Sequence, residues 1–137
     1  MDIIELYYAK ENYKEIDSYS YDLLKNTPLI FWSNEEKYNK TISDVMGMYD
    51  ILPTFANLFG FEEKYSLGHD IFSKNEKIVV FPNGNVLTNK VYYSSLNEEY
   101  ITFSNEPIEL GYIDRIKEYA LDLLDVSNGI VTHDLIK

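Results

Sequence analysis

Three short stretches of this chain place side chains able to do chemistry close together. In residues 49 to 60, YDILPTFANLFG, Asp50, Pro53 and Thr54 could hold a metal or offer a nucleophile, or they could equally start a helix. The other two are the dipeptides His69-Asp70 and His133-Asp134. A His-Asp dipeptide binds a catalytic metal when further His and Asp ligands join it from other helices, and a chain with 2 histidines in total falls short of that set. Gly68 marks a loop before the first pair, and the second lies near the end of the sequence, so both read as surface or boundary histidines. Hard cations also accept carboxylates alone, but with 23 acidic residues some carboxylates are neighbours by chance.

Other catalytic patterns are missing from the sequence. Ser and Thr are plentiful, but there is no Gly-x-Ser-x-Gly elbow and no positioned base. Gly60, Gly68 and Gly84 stand alone and read as turn residues, not as a phosphate-cradling loop. A glycosidase-like carboxylate pair cannot be picked out of so acidic a background. Tyr92, Tyr93, Tyr100 and Phe103 could line a sugar- or lipid-binding face, yet strand alternation sends about half of such residues into a core. Core and amphipathic surface is the reading they favour.

The elements that must position these residues follow from composition and periodicity. At 137 residues, 45% hydrophobic and 15% aromatic, the chain suits one folded domain. A net charge of -11, with Arg115 the only arginine, argues against nucleic acid and against an anionic membrane surface. No apolar run is long enough to span a bilayer, and MDIIELYYAKENYK lacks the basic-then-apolar order of a signal peptide. With no cysteine there is no disulfide, thiolate nucleophile or Cys-based zinc site.

Residues 1–25 show no strong period and read as a helical or irregular lead-in. Leu29-Ile30-Phe31-Trp32, preceded by Pro28, reads as a buried strand. From Asp50 the signals turn helical: Asp50 as cap, Pro53 in the first turn, Leu52, Phe55, Ala56 and Phe59 at helical spacing, and Gly60 as the stop. Lys77 to Phe81 and Val86 to Thr88 flank an Asn83-Gly84 turn, and Val91 to Tyr93 and Tyr100 to Phe103 follow, which predicts an antiparallel sheet of about four strands. Ile108 to Leu124 carries the stripe Ile113, Ile116, Ala120, Leu123 and Leu124, a helix to cover that sheet, with a break expected at Asn128-Gly129. No internal repeat and no long linker divides the chain. The expected class is therefore α/β, or α+β: a strand and capped helix at 26–76, then the small sheet and its covering helix at 77–137.

Taken in order, these motifs resemble the C-terminal part of sulfatase-type enzymes of the alkaline phosphatase superfamily, and most closely the lipoteichoic acid synthase branch of phosphoglycerol transferases. The likeness rests on Pro28 to Asn34, on Ser43 to Gly60 with Asp50-Ile51-Leu52-Pro53-Thr54, on Tyr65 to Ser73 with Gly68-His69-Asp70-Ile71-Phe72, on Phe81 to Thr88, and on Ser127-Asn128-Gly129 with Asp134-Leu135-Ile136. It covers roughly residues 26 to 137, and its specificity lies in the ordered set. It implies an alkaline-phosphatase-like layer within an extracellular catalytic domain, tethered by N-terminal membrane helices. It also implies a threonine nucleophile and a divalent metal such as manganese, transferring phosphoglycerol from phosphatidylglycerol to a growing polymer.

The same resemblance places the nucleophilic Thr, the acidic metal ligand and the Asp-His metal pair upstream of the Pro-Leu-Ile strand. Residues 1–27 reproduce none of them, and no histidine precedes His69. Thr54 does not match the family nucleophile, and His69-Asp70 matches the turn after the helix, so no catalytic, cofactor or metal role carries over to this chain. The expectation is a C-terminal fragment, inactive alone, whose partner is the missing upstream catalytic portion and whose exposed apolar surface favours self-association. The alternative is an autonomous module binding cell-wall polymer or glycolipid.

Overall fold

In a computed structural model of the 137-residue chain, residues 18–34 and 40–135 are described. The chain divides into two compact units, Met1–Thr41 and Ile42–Lys137, a division that composition does not mark.

In the first unit a short helix, α1, spans Ser18–Leu23. Asp22 on it is 5% exposed and accepts a 2.8 Å hydrogen bond from Lys25 Nζ, whose ammonium also lies over the Tyr21 ring. Most of the lead-in 1–25 lies outside the described residues. The strand expected at Leu29 to Trp32 does not form: these residues belong to no helix or strand, and Ile30 and Trp32 are 81% and 83% exposed. Four apolar side chains make a run suited to a strand, but a strand exists only as a ladder, and no described strand pairs with this one.

In the second unit a 3₁₀ turn, Met48–Asp50, leads into helix α2, Ile51–Phe59. Pro53 sits in its first turn, where a missing N–H costs little, and Gly60 ends it in the left-handed conformation at φ 69°. Four strands follow, β1 Ile78–Val80, β2 Val86–Thr88, β3 Val91–Ser94 and β4 Glu99–Thr102, each antiparallel to the next in the order β1-β2-β3-β4. The β1–β2 connection is a turn closed by Gly84 N–H donating to the Phe81 carbonyl at 2.9 Å, with Gly84 at φ 83°. Asn83-Gly84 therefore turns the chain as a three-residue loop with the glycine in the bulge position, not as a two-residue hairpin.

Helix α3, Tyr112–His133, covers one sheet face. Val80, Val86, Val91 and Tyr93 from the sheet meet Tyr112, Ile116 and Ala120 from the helix, with Ile113, Leu123 and Leu124 at the margin. Complete burial of Ile116 contributes about 1.5–3 kcal/mol. The break expected at Asn128-Gly129 is absent, and α3 runs four residues past Gly129 before Asp134 caps it at φ 49°. A lone glycine costs a helix only about 1 kcal/mol, which an established long helix tolerates. The fold is thus mixed α/β: a small four-stranded antiparallel sheet with a C-terminal helix packed on it. Among the described residues no helix is long and apolar enough to cross a membrane.

Candidate functional site

Asp50, Thr54 and Asn57 lie at i, i+4 and i+7, so all three face one side of the 3₁₀ turn and α2, and that side holds the loop 66–73. Asp50 is 7% exposed. Its Oδ1 accepts the His69 N–H at 2.8 Å and its Oδ2 accepts the Gly47 N–H at 2.7 Å. Although it occupies the cap position, its side chain makes no cap bond to α2; the carboxylate reaches back to Gly47 and across to the loop instead. Thr54 is fully buried, donates its hydroxyl to the Asp50 carbonyl at 2.6 Å, and accepts the Ile71 N–H at 3.1 Å. Asn57 Nδ2 donates to Asp70 Oδ2 at 2.8 Å, while Asp70 Oδ1 accepts the Phe72 N–H.

Gly68 lets this loop lie directly on the turn: a Cβ there would press on the Tyr49 carbonyl and sit 2.8 Å from Asp50 Cα. Lys77, only 8% exposed, closes the far end, donating from Nζ at 2.8 Å to the Asp70 carbonyl, the Ser73 carbonyl and Ser73 Oγ. Three donors meet three acceptors, which is what allows an ammonium to be buried.

The clasp shows what these residues do in the fold. Both Asp50 oxygens accept backbone N–H groups, and the Thr54 hydroxyl donates once and accepts once, so both side chains hold the loop to the helix. The His69 ring lies 6.3 Å from the Tyr119 ring, centroid to centroid. His133 is fourteen residues beyond Tyr119 on α3, about 21 Å along the axis at 1.5 Å per residue, so the two His-Asp dipeptides do not converge. Among the described residues no group of three or more His, Asp or Glu could hold a metal ion.

A second cluster joins the sheet to α3. Tyr112 Oη lies 2.7 Å from Glu76 Oε1 and 3.0 Å from Thr88 Oγ1, and Arg115 pairs with Glu76 Oε2 at 2.8 Å. Lys90 and Arg115 both lie over the Tyr112 ring, 5.1 and 4.9 Å from its centroid. Burial pushes the Tyr112 phenol up to about 12, against the lowering effect of Thr88. Burial alone would raise the Glu76 carboxyl, but Tyr112 and Arg115 outweigh it and hold it below its ordinary range.

Beside this cluster an open cleft of ≈ 640 Å³ is lined by Asp44, Ser73, Asn75, Glu76, Asn89 and the lysines 74, 77 and 90. Lys77 and Ser73 are engaged with each other, Glu76 with Tyr112 and Arg115, and Asn89 with Asp44 and the Val45 N–H. Among the described residues Lys74 and Asn75 have no such partner and Lys90 lies over the Tyr112 ring, so the cleft offers two cations and an amide that can meet an anion. Of the aromatic platform, Tyr92 and Tyr93 are 2% and 5% exposed, and only Tyr100 and Phe103 face outward.

Sequence reasoning overlooked Tyr49, Glu76, Lys77 and Tyr112 as organising residues. Only Lys77 carried a signal, a charged residue directly before an apolar strand. The chain has no match among family models, curated proteins or solved structures.

Proposed function

We propose that this chain is a non-catalytic C-terminal segment of a sulfatase-type phosphoglycerol transferase of the lipoteichoic acid synthase kind. Its parent is membrane-anchored and works on the extracellular face of the bacterial membrane. The observation that carries the reading is the clasp. Asp-x-x-Pro-Thr and Gly-His-Asp-Ile-Phe, two motifs of the resemblance, are bonded to each other through Asp50, Thr54 and Asn57. In this reading both motifs serve as a frame. In the parent, the upstream portion supplies the threonine nucleophile and the manganese ligands, and this segment supports them.

Two measurements test this. The isolated chain, given manganese and bis(p-nitrophenyl) phosphate or phosphatidylglycerol, is expected to show no turnover. A phosphoglycerol transferase whose own C-terminal part is replaced by residues 26–137 is expected to keep polymer synthesis. Metal-dependent turnover by the chain alone overturns the proposal. An inactive chimera, together with saturable binding of glycerophosphate polymer to the isolated chain, replaces it with a free-standing binding module.

A further inference from the structure

The two edges of the sheet are treated differently. Phe81 N–H donates to Asn85, which sets Val79 and Phe81 toward β2 and leaves the backbone groups of Ile78 and Val80 facing out. Tyr49 occupies that edge: its hydroxyl accepts the Val80 N–H at 2.7 Å and lies 3.4 Å from the Ile78 carbonyl. At the opposite edge Phe103 N–H donates to Lys90, so Ile101 faces β3 while the N–H and C=O groups of Tyr100 and Thr102 point outward. Every residue of β4 is exposed, Tyr100 at 50% and Ile101 at 45%. Among the described residues one edge is closed and the other is open, which is the arrangement that invites strand addition.

We propose that the β4 edge pairs with the β4 edge of a second copy of this chain, antiparallel about a two-fold axis at Ile101. This follows from register alone and does not rest on the functional reading above. Centring on Ile101 sets Tyr100 opposite Thr102 of the other copy, so all four outward N–H groups meet outward carbonyls. Centring on Tyr100 instead brings in Glu98, which has left the strand at φ 55°, and centring on Thr102 brings in Ser104, beyond its end. In the chosen register Ile101 faces Ile101, and Glu99 faces Phe103, so no like charges stand directly opposite.

The closed edge at β1 then limits the assembly. Each copy has one open edge, a two-fold pairing consumes both, and the product is a dimer with one continuous eight-stranded sheet, not a fibre. The contact is small, since a four-residue strand runs only about 14 Å, well short of what a tight interface buries. Half-dimerisation is expected at a concentration on the order of 100 µM to 1 mM. Each copy carries a net charge of -11, so repulsion opposes the pairing and added salt strengthens it.

Sedimentation velocity on the full chain, from about 10 µM to several mM, tests the proposal across that expected range. The wild-type chain should pass from monomer to dimer, with the transition moving several-fold lower in concentration as salt is raised. Thr102→Pro removes an outward N–H without touching the ladder to β3, and should stay monomeric with an unchanged circular dichroism spectrum. Ile101→Glu and Ile101→Lys should each be monomeric alone and dimerise when mixed, because the axis puts position 101 opposite itself. A wild-type chain that stays monomeric throughout overturns the proposal, as does a T102P chain that dimerises like wild type or an I101E and I101K mixture that stays monomeric.

Discussion

Thr54 is the sharpest test of the clasp, because Thr54→Val keeps size and β-branching while deleting only the hydroxyl. That hydroxyl is fully buried and serves the Asp50 carbonyl and the Ile71 N–H. Valine leaves the buried Ile71 N–H without an acceptor, at about 1–3 kcal/mol. Thr54→Ser keeps the oxygen and loses one methyl, about 1 kcal/mol. Valine should therefore cost more than serine, the reverse of what a purely apolar site would give. With a urea slope of about 1–3 kcal/mol/M, a loss of about 2 kcal/mol moves the unfolding midpoint down by roughly 1 M. Hydrogen exchange at the Ile71 amide should accelerate in T54V and stay protected in T54S. If T54V is as stable as T54S or more so, and Ile71 remains protected, the hydroxyl is merely accommodated and the clasp argument fails.

Further outcomes follow from the same contacts. Gly68→Ala drives a Cβ into backbone that cannot yield, so a loss of about 3 kcal/mol is expected by urea titration. Gly129→Ala, in open space within α3, should stabilise by about 0.5–1 kcal/mol, seen as a higher Tm. Because the folded-state pKa of Glu76 is depressed below its ordinary 4.5, its contribution is present above that pH and lost as pH falls through the lower folded value. The stability deficit of Glu76→Gln near neutral pH should accordingly shrink in acid. Tyr49 and Tyr112 are both pushed by burial from 10.0 up to about 12, so their stabilisation holds below pH 10.0 and drains away as pH rises through 12. Tyr49→Phe should flatten that alkaline decline in the urea midpoint.

Local signals in the sequence were enough for the elements whose causes are local. Pro53 and Gly60 bracket α2 because each acts through its own backbone dihedrals. The apolar stripe from Ile113 to Leu124 specifies a helix face, and alternation with turn residues specifies four strands. Leu29 to Trp32 misled because hydrophobicity reports a tendency to be buried, while a ladder depends on a partner strand elsewhere. Asn128-Gly129 misled because a weak local breaker was weighed without the long helix around it. Asp50 was legible as a residue at a helix start, but its actual partners, Gly47 and His69, come together only through the path of the loop.

What the sequence by itself determined is the inventory: mixed α/β elements, an acidic chain, and two histidines in all. Tertiary structure alone decided the employment of its polar groups. Whether Asp50 and Thr54 ligate, attack or clasp depends on which backbone N–H groups arrive within 3.1 Å, nineteen and seventeen residues away in the chain. The closing of the β1 edge by Tyr49 and the open edge at β4 are likewise long-range outcomes, since hydrogen-bond satisfaction is settled by geometry between segments and not by residue type.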